Sequence, residues 1–258
     1  MKLNAETRGQ GPELVLLHGW GMSSAVWEGL PADLTLGHRL TLVELPGHGR
    51  SPVDPTWNSL YDWARACLDV TPERATWVGW SLGGLVALEV ALSTPQRVAS
   101  LVQISATPRF VQGVDWTAAM LAETLDRFHD GLVADPTGTL HRFLALQVRG
   151  SDAARQTLRS LRQELADQPV PDARAMALGL DLLRECDLRA RLPQLACPSL
   201  WLFGERDTLV PAAAAKGVAD LLPTARVHLI QGAAHAPFLS HPAEMVAKIL
   251  SFLWENAQ

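Results

Sequence analysis

At 258 residues, 48% hydrophobic and 19% charged, with neither repeats nor low-complexity tracts, the chain excludes a disordered or fibrous protein and is long enough for one large α/β domain carrying an insertion. A net charge of −5 gives the whole molecule no attraction for nucleic acid or an anionic membrane, so any basic patch is local. Residues 1–8 lack the apolar run of a signal peptide, and no stretch is long enough to span a membrane. Cys67, Cys186 and Cys197 have no metal-ligand spacing, so a reducing cytoplasm and inert thiols are the expectation, and a monomer is expected besides.

Residues 14–17 (Leu-Val-Leu-Leu) form a short apolar run that predicts a strand, and it ends in the glycine-rich His18-Gly19-Trp20-Gly21. Residues 40–45 predict a second strand closed by Pro46-Gly47-His48-Gly49, and residues 60–68 a helix. Residues 75–78 read as a buried strand and 82–92 as a helix, joined by a turn with Gly79 and Gly83 on either side of Ser81. Strands follow at 100–104, 200–203 and 227–230. Continuous apolar strands alternating with helical patterns argue for a mostly parallel sheet flanked by helices. From residue 107 to about 188 the pattern is helical throughout: Leu121, Leu125, Phe128 and Leu132 mark one helix, Leu140, Phe143 and Leu144 another, and Leu158, Leu161 and Leu165 a third. The expected division is a core from 1–108, a helical lid from 109–187 and the rest of the core from 188–258.

A Gly-x-Ser-x-Gly turn between strand and helix has a steric logic, because the strained serine leaves no room for side chains two residues away. Alone it is also compatible with an inert small-residue turn. A serine nucleophile needs a base and a group to orient that base, both gathered at the carboxyl ends of parallel strands. His235, in a small-residue loop just after the last strand, is the candidate base. His228 lies inside that strand, and His241 is placed to cap the final helix. Asp207, after a turn of three residues past the strand at 200–203, is the candidate acid, against the alternative that it only caps the helix beginning near residue 210. Glu205 is assigned to Arg206 or to solvent. Two backbone N–H groups, those of Leu82 and Trp20, are candidates for an oxyanion site, while the Trp20 indole either walls a pocket or packs in the core. His18 and His48 are expected to brace their loops.

With His18-Gly19-Trp20-Gly21, Pro46-Gly47-His48-Gly49, Gly79-Trp80-Ser81-Leu82-Gly83-Gly84, Gly204-Glu205-Arg206-Asp207 and Ala233-Ala234-His235-Ala236-Pro237-Phe238, the whole chain resembles the α/β-hydrolase superfamily. More narrowly, Trp20, Trp80, the segment Arg142-Phe143-Leu144-Ala145-Leu146-Gln147 and the ending around His235 are similar to the family of pimeloyl-[acyl-carrier protein] methyl ester esterases of biotin synthesis. That resemblance implies a serine carboxylesterase acting on a methyl ester borne by acyl carrier protein, with no metal and no organic cofactor. It implies substrate contacts at Trp20, Ser81, Leu82, Phe143, Leu144, Ala145, Leu146, Gln147 and His235, and carrier-protein contacts at Arg142, Arg155 and Arg159. Gly138 departs from the pattern, since a basic group is expected one turn before Arg142.

Residues 136–163 carry five arginines against one acid, Asp152, in a chain of net negative charge. Arg155, Arg159 and Arg162 share one helix stripe, with Leu158, Leu161 and Leu165 about a quarter turn away. Such a stripe is either a solvated face or a docking surface for an acidic partner. A broad short-chain carboxylesterase and a non-catalytic binding module are the rival readings. Serine at position 81 excludes the dehalogenase and epoxide hydrolase chemistries, which use aspartate there.

Overall fold

The computed structural model describes residues 1–166 and 168–256, except for the side chains of Glu164 and Leu165, so the predicted apolar role of Leu165 lies outside the described residues. Seven strands, β1 (Ala5–Gly9), β2 (Glu13–Leu17), β3 (Arg39–Val43), β4 (Ala75–Trp80), β5 (Val98–Ile104), β6 (Ser199–Gly204) and β7 (Arg226–Ile230), form one sheet in the order β1-β3-β2-β4-β5-β6-β7. All neighbouring pairs are parallel except β1 with β3. Every residue of β4 and β6 is buried, as strands covered on both faces must be.

The helices of the first half are α1 (Ala32–Gly37), α2 (Leu60–Leu68) and α3 (Leu82–Ser93). Four more, α4 (Ala122–Ala134), α5 (Pro136–Gln147), α6 (Ala154–Ala166) and α7 (Ala173–Glu185), fall between β5 and β6. The last three are α8 (Ala214–Leu221), α9 (Pro237–Ser240) and α10 (Pro242–Glu255). Helix α3 packs on β4 and β5 with α2 beside it, and α10 packs on β6. No helix is long and apolar enough to cross a membrane among the described residues.

The inserted helices bury the predicted apolar stripes: Leu125, Phe128 and Leu132 on α4, Leu140, Phe143 and Leu144 on α5, and Leu161 on α6 all join the core, whereas Leu121 precedes α4 and is exposed. Strand β1 has no apolar run. It pairs only along one edge, through Ala5 to Gly9 against Val43 to Arg39, so its formation depends on a neighbour rather than on its own pattern. The strand expected over 40–45 stops at Val43, leaving Glu44 and Leu45 in the loop that follows.

Of the three free thiols Cys67 is buried and Cys186 and Cys197 are half-buried. Burial pushes the Cys67 thiol far up, and Cys186 and Cys197 up to about 11, so all three stay protonated near neutrality.

Candidate active site

Ser81 directly follows β4 and stands at the N-cap of α3 with φ 54° and ψ −118°. Among the described residues, the only other non-glycine with positive φ is Ser105. Such a conformation costs roughly 1–3 kcal/mol and persists only where its surroundings over-determine it. Here they do. A Cβ on Gly79 would overlap the Gly83 carbonyl, and a Cβ on Gly83 would overlap the carbonyls of Leu17 and His18, so both glycines are required by close backbone approach. The Ser81 N–H donates to the Ile104 carbonyl at 3.0 Å, and its side chain makes no capping bond to α3. The hydroxyl is thus left free at the positive end of a helix that is buried from Leu82 to Ala91.

Asp207 follows β6 by three residues and His235 lies in the loop after β7. Asp207 Oδ2 lies 2.7 Å from His235 Nδ1, with both side chains at most 2% exposed. A carboxylate can only accept, so Nδ1 carries the proton and Nε2 of the neutral ring is a bare acceptor. Nε2 is buried and has no hydrogen-bond partner among the described residues. Oδ1 of Asp207 accepts the N–H groups of Leu209 and Val210 at 2.8 and 2.9 Å. Capping the chain ahead of α8 and orienting the imidazole are therefore not alternatives, since each uses a different oxygen. Glu205 turns elsewhere, accepting the Gly232 N–H at 2.9 Å, and approaches Arg206 at 3.8 Å.

Two grips on His235 were invisible in the sequence. The Trp80 indole N–H donates to the His235 carbonyl at 2.8 Å, so the residue preceding Ser81 holds the loop carrying the imidazole. The His235 N–H in turn donates to the Gln147 carbonyl at 2.9 Å, at the end of α5. These partners are 155 and 88 positions away in the chain, beyond the reach of any local pattern.

His18 and His48 are tied down at both nitrogens. His18 Nδ1 donates to the Gly19 carbonyl at 2.8 Å while Nε2 accepts the Leu45 N–H at 3.0 Å; His48 Nδ1 donates to the Pro46 carbonyl at 2.9 Å while Nε2 accepts the Gly21 N–H at 3.1 Å. Burial drives the His18 imidazole from 6.5 down to about 3, helped by the neighbouring His48 ring, and burial takes His48 down to about 4. Neither has a lone pair to spare for a substrate proton. His241 occupies the N-cap position of α10, but its side chain makes no cap bond, and Nδ1 meets Ser240 Oγ at 2.8 Å instead.

Around Ser81 the two candidate oxyanion residues converge on α7. A Cβ on Gly179 would come within 2.8 Å of the Trp20 ring and 3.2 Å of a Leu82 methyl. The Trp20 indole donates to the Met176 carbonyl at 2.8 Å and packs edge-on against Phe143 at 4.7 Å, so it is fully buried between the core loop and the inserted helices. The Leu82 N–H, first in α3, has no partner within the helix by position.

The segment from Phe143 to Gln147 divides between two faces. Phe143, Leu144 and Gln147 point inward, with the Gln147 Oε1 buried and unbonded, whereas Ala145 and Leu146 open onto the surface. There they line a cavity of about 550 Å³ with Phe128, Arg127, Arg142 and Arg149. A smaller one of about 280 Å³ shares Leu146, Arg127 and Arg149 and reaches Leu209, beside Asp207. Arg155, Arg159 and Arg162 line a third depression, of about 460 Å³, on α6, which shares no lining residue with the other two. The predicted arginines thus form two patches, and Arg127 joins the first from α4, a contact across helices that no spacing announces. Gly138 has a local reason: its N–H donates to Asp135 Oδ1 at 2.9 Å, and a Cβ there would overlap that carboxylate. Asp135 also lies 3.6 Å from Arg142.

A surface cavity of about 800 Å³ lies elsewhere, against the amino-terminal ends of the strands beside Leu14, Thr76, Ser100 and Trp254. Reactive groups of a parallel sheet collect at the opposite ends, so it is set aside. Among the described residues no group of three or more His, Cys, Asp or Glu side chains is placed to hold a metal.

A seven-stranded, mostly parallel sheet with a strained serine after β4 and a paired Asp and His after β6 and β7 is the arrangement of one fold family. The alpha/beta hydrolase fold family matches residues 12–242, and the chain belongs to it. Among similar sequences, the pimeloyl-[acyl-carrier protein] methyl ester esterase of Xanthomonas campestris pv. campestris is 48% identical over 248 residues, 96% of this chain and 97% of that one. Those of Methylococcus capsulatus and Photobacterium profundum are 45% and 44% identical, each over 97% of its own length and 97% and 96% of this chain. Among solved structures, an esterase from Exiguobacterium antarcticum superposes with a TM-score of 0.87 at 21% identity, covering 98% of this chain and 95% of that one. A bromoperoxidase from Bacillus anthracis gives 0.85 at 23%, with the same coverage. At such identities the likeness shows the fold alone, and the chemistry has to be argued from the site.

Proposed function

We propose that the chain is a serine carboxylesterase that hydrolyses pimeloyl-[acyl-carrier protein] methyl ester to pimeloyl-[acyl-carrier protein] and methanol, as its relatives' names state for them. The observation that carries the chemistry is the buried Asp207–His235 pair with an unbonded Nε2, held by Trp80 next to Ser81. The substrate assignment rests on relatives 44–48% identical along almost the whole chain.

In this reading Ser81 Oγ attacks the ester carbonyl carbon as its proton passes to His235 Nε2, and Asp207 holds the resulting imidazolium. A hydrogen bond from Ser81 Oγ to His235 Nε2 forms when substrate arrives. The Leu82 and Trp20 N–H groups hold the oxyanion of the tetrahedral intermediate. Collapse breaks the bond to methoxide, which leaves as methanol with the proton from His235. Water then attacks the acyl-serine, giving its proton to His235, and release of the carboxylic acid returns that proton to Ser81. No metal or cofactor is needed at any step.

Residues 109–187 serve as the lid of a core formed by 1–108 and 188–258. Trp20, Phe143, Leu144, Ala145, Leu146 and Gln147 contact the acyl chain, while Arg142, Arg155 and Arg159 contact the acidic carrier protein. The enzyme acts as a cytoplasmic monomer, with no nucleic-acid or membrane partner. The test is kcat/KM for the carrier-bound ester against a free short-chain methyl ester, at low and high salt. A carrier preference that weakens with salt is expected. Equal values at both salts favour a broad short-chain carboxylesterase, a reading that Gly138 and the engagement of Arg142 by Asp135 support.

A further inference from the structure

The connection between α5 and α6 touches both loops that carry the candidate acid and base. Besides the bond from His235 to the Gln147 carbonyl, the Asp152 N–H donates to the Gly232 carbonyl at 3.1 Å. From the other loop, the Arg206 guanidinium donates to the Gly150 carbonyl at 3.2 Å and pairs with the Asp152 carboxylate. The two loops are also joined directly, Arg206 N–H to the Ala233 carbonyl at 2.8 Å and Gly232 N–H to Glu205 at 2.9 Å. Gly232 sits at φ 71°, and a Cβ there would overlap the Asp152 carboxylate, so the connection lies close against this loop. Arg206 immediately precedes Asp207, and Gly232 lies three residues before His235. Asp152, the lone acid of the arginine-rich stretch, is committed to this contact.

We propose that Arg206 and Asp152 are positioning residues, a clasp that ties the α5–α6 connection to the Asp207 and His235 loops and so couples the placement of the inserted helices to the imidazole. The proposal rests on His235 acting as the general base. Both clasp side chains are largely exposed, 45% for Arg206 and 63% for Asp152. Exposed ion pairs add little to global stability, so the clasp should matter far more for the rate than for the fold. Small displacements of groups supporting a reacting residue are known to lower rates by about tenfold to a hundredfold.

The experiment uses the full chain and a free short-chain methyl ester, which does not engage the arginines of α6, with active sites counted by fluorophosphonate titration. R206A and D152N are expected to lower kcat per titrated site about tenfold, with KM within about twofold of wild type and the melting temperature within about 3 °C. The double variant R206A/D152N should be no slower than R206A, which already breaks the ion pair that D152N weakens, and D152E, which keeps the carboxylate, should retain most of the rate. Wild-type kcat in both singles, losses that multiply in the double, or a loss confined to KM overturns the clasp. Ser81→Ala, with turnover taken per mole of protein because it offers no serine to titrate, separates the two ideas: its retained turnover overturns the nucleophile assignment, whereas an inert Ser81→Ala beside fully active R206A and D152N overturns the clasp alone.

Discussion

The loops at the carboxyl ends of the strands and the outer faces of α5 and α6 treat polar groups in opposite ways. In the loops, Asp207, His18 and His48 are buried with their side-chain donors and acceptors matched inside the chain, whereas His235 Nε2, like Ser105 Oγ and Thr107 Oγ1 after β5, is buried without a partner. On the helices, Arg155, Arg159 and Arg162 are exposed and make no ion pair among the described residues. Groups satisfied internally fix a geometry, while groups left open await something outside. In the proposed reading, the reaction belongs to the loops and the choice of substrate to the helices.

Breaking the closed side has the largest effect. Ser81→Ala should fold and yet lose on the order of 10⁴-fold or more in kcat/KM for every ester, carrier-bound or free. Ester turnover by the purified variant above a hundredth of wild type would remove Ser81 from the mechanism.

Next in size is the response of those same loops to acid. His18 and His48 are neutral in the fold down to about pH 3 and 4, but protonate near 6.5 once unfolded. The unfolded chain then binds more protons than the native one below pH 6.5, so stability falls as pH falls. Each histidine accounts for about 2 kcal/mol at pH 5 relative to pH 7. Urea unfolding at the two pH values, with His48→Gln for comparison, measures it: the variant should show a pH-dependent loss smaller by about 2 kcal/mol. An identical loss in the two proteins would mean that His48 is protonated in the fold.

The smallest effect sharpens the open side. Arg155→Gln combined with Arg159→Gln should raise KM for the carrier-bound ester about tenfold at low salt, with the free ester and the urea midpoint unchanged. If both esters lose alike, these arginines support the fold rather than a partner.

Much of this division was legible in the sequence, for identifiable reasons. The apolar runs of β2, β4, β5 and β6 mark buried parallel strands, and glycines at 79 and 83 mark where backbones crowd the serine. The placements of Asp207 and His235 follow from strand order alone. Strand β1 was not legible, because an edge strand such as Ala5–Gly9 draws its order from β3 rather than from its own side chains. Nor were the grips of Trp80 and Gln147 on His235, which join distant segments through one indole N–H and one backbone carbonyl. The patch of Arg127, Arg142 and Arg149 depends on how α4 lies against α5, which amphipathic periodicity leaves open, whereas Arg155, Arg159 and Arg162 share one face of α6 as their spacing predicts. Spacing also placed His241 at a helix start but could not show its ring turning to Ser240.

The left-handed backbone at Ser81 carries one more implication. Glycine would occupy φ 54° without the steric penalty, so Ser81→Gly is expected to make the folded chain more stable by about 1 kcal/mol while leaving it inert. Selection for stability alone would replace this residue, and a lineage released from its reaction is free to drift toward a sturdier, silent protein. Serine at so uncomfortable a position is what the proposed reaction would require.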